Sequence, residues 1–373
     1  MGDRETVVAF CPLPPPVTGQ RIASKTFLDL LRGHARVVHV PPASRPPRGV
    51  AGGFDADYVR RSWGGLRRLR AALASAPGAT VYFCPSRSLL GLARDVATVA
   101  AIGRRAGRVV AHVHSGDHER QFSGARAALA RWLAARIDAY CVPTETQARA
   151  LRPALSPTPV FAVTNVVDPA LRFDASALDA VFAARRARPG LDVLYLSNLV
   201  PSKGYLDVLR ALPDTADSVR AQFVGTWMDP ADRDAFLAER ERLGLTDRAL
   251  VHDPVETRQA ARALLEAADV VCLPTSYPHE AQPLAVLEGM TAGCPVVSTA
   301  HASLPEYVID GVTGLVVPPS DPRAIAAALD RLTDTETRER IGRAAHRLAA
   351  ERFAPERALG PLLQALGLAV PAA

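Results

Sequence analysis

Two glutamates, Glu280 and Glu288, stand eight positions apart in PTSYPHEAQPLAVLEGMTAGCPVVST (274–299), a passage that reads as strand end, loop, helix, turn and strand. The helix is expected to open beside Glu280 with Pro283 in its first turn, where a residue without an N–H is tolerated. Ala281, Gln282, Pro283 and Leu284 then form the helix mouth, whose amides and positive dipole end favour an anion. At about 1.5 Å of rise per helical residue, the two carboxylates would bracket roughly 12 Å. A nucleoside diphosphate carrying a sugar fits that span, with phosphates on the amides, one carboxylate on sugar hydroxyls and the other on the ribose diol. The plainer reading of the same residues is a helix cap at Glu280 and a solvent-facing Glu288.

Other passages offer complementary chemistry. Only Lys25 and Lys203 are lysines in a chain otherwise committed to arginine, so each is a candidate for a point charge that a planar guanidinium cannot replace. Lys203 lies in LSNLVPSKGYLDVLRAL (196–212), a strand, turn and helix. CPLPPPVTGQ (11–20) sets Gly19 between Thr18 and Gln20 at a helix entrance, after prolines that stiffen the approach. It could equally be a surface turn. HVHSGDH (112–118) puts His112 and His114 on one strand face with His118 beyond, but no carboxylate or cysteine cluster completes a metal site, and none is expected. DAD at 55–57 follows GGF in a loop and reads as surface. RRSWGGLRRLRAALA (60–74) mixes arginines with Trp63, Leu66 and Leu69, either an interfacial membrane helix or an amphipathic helix on a sheet.

Taken in chain order, and along nearly the whole chain, the passages that carry Gly19, His114, Lys203 and the two glutamates resemble the signature regions of glycosyltransferase family 4. Its members share the α/β GT-B fold, two Rossmann-like doubly wound domains facing a central cleft. Residues 274–299 resemble the family's E-x7-E region, which implies that Glu280 contacts the donor sugar and Glu288 the ribose. LSNLVPSKG resembles its G-R-L-x-x-x-K-G phosphate turn. Lys203 and Gly204 match, while Asn198 stands where the family generally has arginine, leaving Lys203 with more of the diphosphate charge. HASLPEYVIDGVTGLVVPPSDP (301–322) resembles the next loop and its G-x-T-G-x-x-V turn, with Ala302 and Ser303 replacing a glycine pair. Gly19 aligns with a glycine-bearing loop near the donor phosphates, and His114 with a strand-end histidine that contacts the donor sugar. ERFAPERALGPLLQALG (351–367) resembles a closing helix that returns to the N-terminal domain. The resemblance implies a retaining, metal-independent hexosyltransferase with a nucleotide-sugar substrate, UDP favoured, and no bound cofactor. Glu280, Lys203 and His114 would be catalytic. Glu288, Asn198, Gly19, Ala281, Gln282, Pro283, Leu284 and Ser303 would hold the donor.

The elements that must position these residues alternate in type. Strand-like runs fall at 6–11, 35–40, 79–84, 108–113, 139–142 and 160–163, then, after an Arg-rich helix near 175–188, at 192–197, 219–225, 249–253, 269–274 and 295–299. Helical periodicity between them predicts parallel sheets with ligands at the strands' carboxyl ends. The 373 residues suffice for two cores. An acceptor domain is expected over 1–170, joined by the helix in 354–373, and a donor domain over 188–353.

Composition narrows the class. With 48% apolar and 22% charged residues the chain is globular. Residues 1–190 hold 27 basic and 13 acidic side chains, and the remainder 17 and 25. The basic half favours an anionic partner, a membrane surface or phosphorylated acceptor, unless its arginines are simply solvated. Five dispersed cysteines read as core thiols in a reducing compartment. Without a signal peptide or spanning segment, the expectation is a cytoplasmic protein able to touch the inner membrane face peripherally, acting on a saccharide, lipid-linked or small-molecule acceptor, with no nucleic-acid partner. The rival readings are a nucleotide-sugar 2-epimerase of the same fold and a catalytically weak sugar-nucleotide-binding protein. A dinucleotide dehydrogenase would need G-x-G-x-x-G where prolines follow the first strand.

Overall fold

The computed structural model describes residues 5–43, 56–86 and 88–370. The chain divides into two compact units, one ending at Val166 and resuming at Pro355, the other spanning Val167–Ala354. Among the described residues no helix is long and apolar enough to cross a membrane.

In the first unit, β1 (Thr6–Phe10), β2 (Arg36–His39), β3 (Thr80–Phe83), β4 (Arg108–His112), β5 (Ala139–Val142) and β6 (Val160–Ala162) form one parallel sheet in the order β2-β1-β3-β4-β5-β6. Its connections contain α1 (Gly19–Leu31), α2 (Ala56–Ser75), α3 (Leu89–Ile102), α4 (Ala127–Ala134) and α5 (Glu145–Leu155). Helices on both faces explain why β3 and β5 are buried along their whole length and read as continuous apolar runs. Leu69, Leu92, Leu133 and Leu151, from α2 to α5, fill the core on one face.

The second unit repeats this plan with β7 (Leu191–Leu196), β8 (Val219–Val224), β9 (Ala249–His252), β10 (Val270–Leu273), β11 (Val296–Thr299) and β12 (Gly314–Val317), ordered β12-β11-β10-β7-β8-β9. Around it lie α6 (Ala175–Arg186), α7 (Tyr205–Ala211), α8 (Pro230–Arg242), α9 (Arg258–Ala267), α10 (Leu284–Thr291), α11 (Pro322–Arg331) and α12 (Thr335–Arg352). Aspartate or threonine N-caps open several of these helices: Asp174, Asp229, Thr257, Asp321 and Asp334 each accept a first-turn amide. The closing helix α13 (Pro355–Leu366) belongs to the first unit. Its Ala358, Leu362, Leu363 and Leu366 share a core with Phe27, Leu28 and Leu31 of α1.

Two expectations are corrected. β12 pairs along β11 through Gly314–Val317, where the sequence suggested only a turn. The second unit also begins at Val167 rather than at 188, because α6 packs into it: Arg185 donates to the carbonyls of Leu265 (2.8 Å) and Gly293 (3.3 Å).

Each sheet reverses its strand order once. In the second unit, β7 leads to β8 and β9 on one side, while β10 and its successors build on the other. In the first, the reversal lies between β1 and β3. The crevice beyond the carboxyl ends at such a point is where open α/β sheets bind ligands.

Candidate functional site

At the second unit's reversal point, the turn after β7 carries Lys203 and the loop after β10 carries Glu280. Lys203 Nζ lies 3.2 Å from Glu280 Oε2, with the two side chains only 14% and 7% exposed. The ammonium also donates to Ser197 Oγ (3.1 Å), and Thr275 Oγ1 donates to Glu280 Oε2 (3.4 Å). The Tyr277 ring centroid is 5.2 Å from Nζ. The turn is held against β10 by its backbone: Ser276 N donates to the Ser202 carbonyl at 2.8 Å. Gly204 has φ +80°, and a Cβ there would stand 2.5 Å from the Pro274 carbonyl oxygen. Only glycine allows that approach. Asn198 is half-buried in the same turn.

Pro283 is the N-cap of α10 and not a first-turn residue. Residues 281–283 are therefore outside the helix, and the expected 12 Å helical spacing of the glutamates does not hold. Ala281, Gln282, Pro283 and Leu284 are nonetheless all buried, and the amides of Val286 and Leu287 both return to the Pro283 carbonyl. Glu288 is buried on α10 rather than solvent-facing. Arg258 Nη1, at the start of α9, lies 3.5 Å from its Oε1. Burial raises the Glu288 carboxyl to about 7, against the pull of Arg258 and with a small push from Asp168.

The loop after β11 encloses this region from the other side. Ala302 has φ +50°, a left-handed conformation that glycine adopts without strain. Ser303 is buried, and its hydroxyl donates to the Ala281 carbonyl. His301 Nε2 donates to the Tyr277 carbonyl at 2.7 Å. The serine side chain is thus turned inward, bracing the loop that bears Glu280.

In the first unit, Gly19 is the first residue of α1 behind the Thr18 N-cap. A Cβ at Gly19 would meet nothing within 4 Å. The Arg21 guanidinium gathers the preceding loop by donating to the carbonyls of Leu13 (2.9 Å) and Pro15 (2.6 Å). His114 follows β4 and stacks on His112 with ring centroids 4.3 Å apart. Both ring nitrogens of His114 are buried, with the Cys84 thiol beside the ring. His112 Nδ1 is 2.8 Å from the Tyr82 hydroxyl, and burial lowers its pKa well below the usual histidine value.

The remaining candidates resolve as ordinary structure. His118 Nδ1 accepts from Gln121 (3.1 Å), and burial depresses its pKa to about 4. No group of histidine, cysteine and carboxylate residues suited to a metal ion occurs among the described residues. Asp57 pairs with Arg60 and Arg61 on the surface, while Asp55 lies outside the described residues. Lys25 pairs with Asp29 on the exposed face of α1. All five cysteines are buried and free of disulfides. Sequence reasoning missed Ser197, Thr275, Arg21 and Arg258; Thr257 before Arg258 marked a helix start, but nothing local pointed that arginine at Glu288.

Comparison with known proteins follows the same division. Residues 183–348, within the second unit, match the family model described as glycosyl transferases group 1. A D-inositol 3-phosphate glycosyltransferase of Xylanimonas cellulosilytica is 33% identical over 204 residues, covering 52% of this chain and 46% of that protein. The chain spans about half the length of such curated relatives. Across 97% of this chain and 99% of the other, it is similar to Anabaena HepE in complex with UDP and glucose, with a TM-score of 0.73 and 18% identity. Sucrose-phosphate synthase from Thermosynechococcus elongatus gives a TM-score of 0.76 at 18% identity, covering 98% and 99% of the two chains. At that identity the likeness is one of fold: the chain has the GT-B architecture of two Rossmann-like domains.

Proposed function

We propose that the chain is a glycosyltransferase that binds a nucleoside diphosphate sugar on its second unit and passes the sugar, with retention, to an acceptor hydroxyl. The observation that carries this reading is the Lys203–Glu280 pair at the reversal point of the second sheet. One cation and one carboxylate there match the two ends of a sugar diphosphate. Support for uridine as the base comes from the UDP bound by the fold relative HepE.

In the proposed reaction the acceptor oxygen attacks the anomeric carbon on the face from which the diphosphate departs. The bond from anomeric carbon to phosphate oxygen breaks, and the acceptor proton passes to that departing oxygen. No protein nucleophile is required. Lys203 stabilises the charge growing on the diphosphate, where a fixed cation counts most for rate. Its partner Glu280 accepts hydrogen bonds from the donor sugar, and Glu288 from the ribose diol. Backbone N–H groups of Ala281, Gln282 and Leu284 and of the Ala302–Ser303 loop donate to phosphate oxygens, with Pro283 shaping the turn and Asn198 contributing hydrogen bonds but no charge. On the first unit, His114 and Gly19 are proposed as ligand-contacting residues. No metal or bound cofactor takes part. The acceptor is a saccharide, a lipid-linked glycan or a small hydroxylated molecule.

The test is calorimetric binding of UDP, GDP and ADP without metal, followed by incubation with the matching nucleotide sugars and product analysis by NMR. Binding of one diphosphate that is lost in Glu288→Ala, with an axial or equatorial linkage matching the donor, supports the proposal. Absence of binding by all three, or an inverted product, overturns it.

A further inference from the structure

The helical layer of α2, α3 and α4 leaves large apolar side chains uncovered that the proposed transfer does not use. α3 packs between the other two, and Tyr58 of α2 hydrogen-bonds Arg94 of α3. Trp63 on α2 is 67% exposed, and Leu89 and Leu90 on α3 are 60% and 66% exposed. Trp63 and Leu90 stand the same number of residues ahead of their helices' last residues, Ser75 and Ile102. Both helices join parallel strands on one face of the sheet, so these side chains share a level. Farther along α3, the exposed positions are Ala93, Ala97 and Ala100, with no charge among them.

Cations border this ridge. Five exposed arginines lie between Arg60 and Arg70 on α2, whose only acidic residue is Asp57. Just past α4, the guanidinium of Arg136 sits 3.8 Å from the centre of the ring of Trp132 on that helix, itself partly exposed. Tryptophan and leucine beside arginine suit a boundary where one side is hydrocarbon and the other carries phosphate. A second copy meeting this face through a two-fold axis would set arginine rows against each other, so charge complementarity favours an anionic surface.

We propose that this face of the first unit docks on an anionic lipid bilayer, with Trp63, Leu89 and Leu90 entering the headgroup boundary and the α2 arginines lying against lipid phosphates. This does not depend on the transfer reaction and tests separately.

The experiment is co-sedimentation of the full chain with phosphatidylcholine vesicles, alone or with about 30% phosphatidylglycerol, across a salt series. The expected result is salt-sensitive binding to the anionic vesicles only, weakened roughly fivefold by each of Arg67→Gln and Arg70→Gln. A Trp63→Ser, Leu90→Ser double variant should lose on the order of tenfold in binding while keeping the wild-type unfolding midpoint. The proposal is overturned by no binding to either vesicle, by binding that the double variant leaves intact, or by a dimer in sedimentation velocity that the same variant dissociates.

Discussion

Lys203 Nζ and Glu280 Oε2 are 3.2 Å apart, although the lysine follows β7 and the glutamate follows β10. Two neighbouring strands must therefore be in register before either charge is neutralised. Removing the cation in Lys203→Ala leaves a nearly buried carboxylate with, among the described residues, only the Thr275 hydroxyl as side-chain donor. A stability loss of about 3 kcal/mol is expected, together with a fall in kcat on the order of a hundredfold or more. Urea unfolding and steady-state transfer rates measure the two effects separately, and an unchanged kcat would refute the assigned role.

Glu288 should make donor binding pH-dependent. Its carboxyl, lifted by burial to about 7, must be ionised to accept hydrogen bonds from two ribose hydroxyls. Donor Kd is expected to rise about tenfold per pH unit below that point, and Glu288→Gln should bind weakly with a flat profile. For stability the sign is the opposite. A raised carboxyl contributes fully below its unfolded value near 4.5, and that contribution is lost as pH rises through about 7, a difference on the order of 3 kcal/mol. Calorimetric titration of UDP between pH 5.5 and 8.5, a range of about three decades in proton activity, decides the first point.

Gly204 and Ala302 should respond in opposite directions. Gly204→Ala places a methyl 2.5 Å from the Pro274 carbonyl at φ +80°, so a loss of at least about 2 kcal/mol is expected. Ala302→Gly relieves left-handed strain at φ +50° and should gain roughly 0.5–1 kcal/mol after glycine's greater chain entropy is counted. Denaturant midpoints of the two variants provide the comparison.

Gly19 separates fold from function. No described atom lies within 4 Å of a Cβ built there, so Gly19→Ala should change stability by less than about 0.5 kcal/mol. If the open space serves a ligand, transfer should still fall by at least about tenfold. Retention of both stability and rate would remove Gly19 from the site.

The strands of both sheets were legible because residues buried on both faces cannot hide their β-branched character; TVYF of β3 and AYCV of β5 are examples. β12 escaped because GLVV is brief and opens on a glycine that also fits a turn. Glu280, Glu288 and Lys203 could be named as candidates from residue type, spacing and the family resemblance, but their surroundings could not be read from the sequence. Propensity places proline in the first turn, so the N-cap position of Pro283 is set by the loop before it and could not be read locally. Arg258 became visible only when the start of α9 was seen beside Glu288.

The return of α13 imposes an order on synthesis. The first unit begins at the amino terminus, yet Thr80 and Arg108 donate to carbonyls of Leu366 and Ala365, and Leu362 and Leu363 complete its interior. A nascent chain leaving the ribosome can finish the uninterrupted second unit while the first still lacks its last helix. The part made earliest is thus sealed last, through contacts of very long sequence separation that slow folding. Until then the apolar surface of α1 that awaits α13 is open to chaperones.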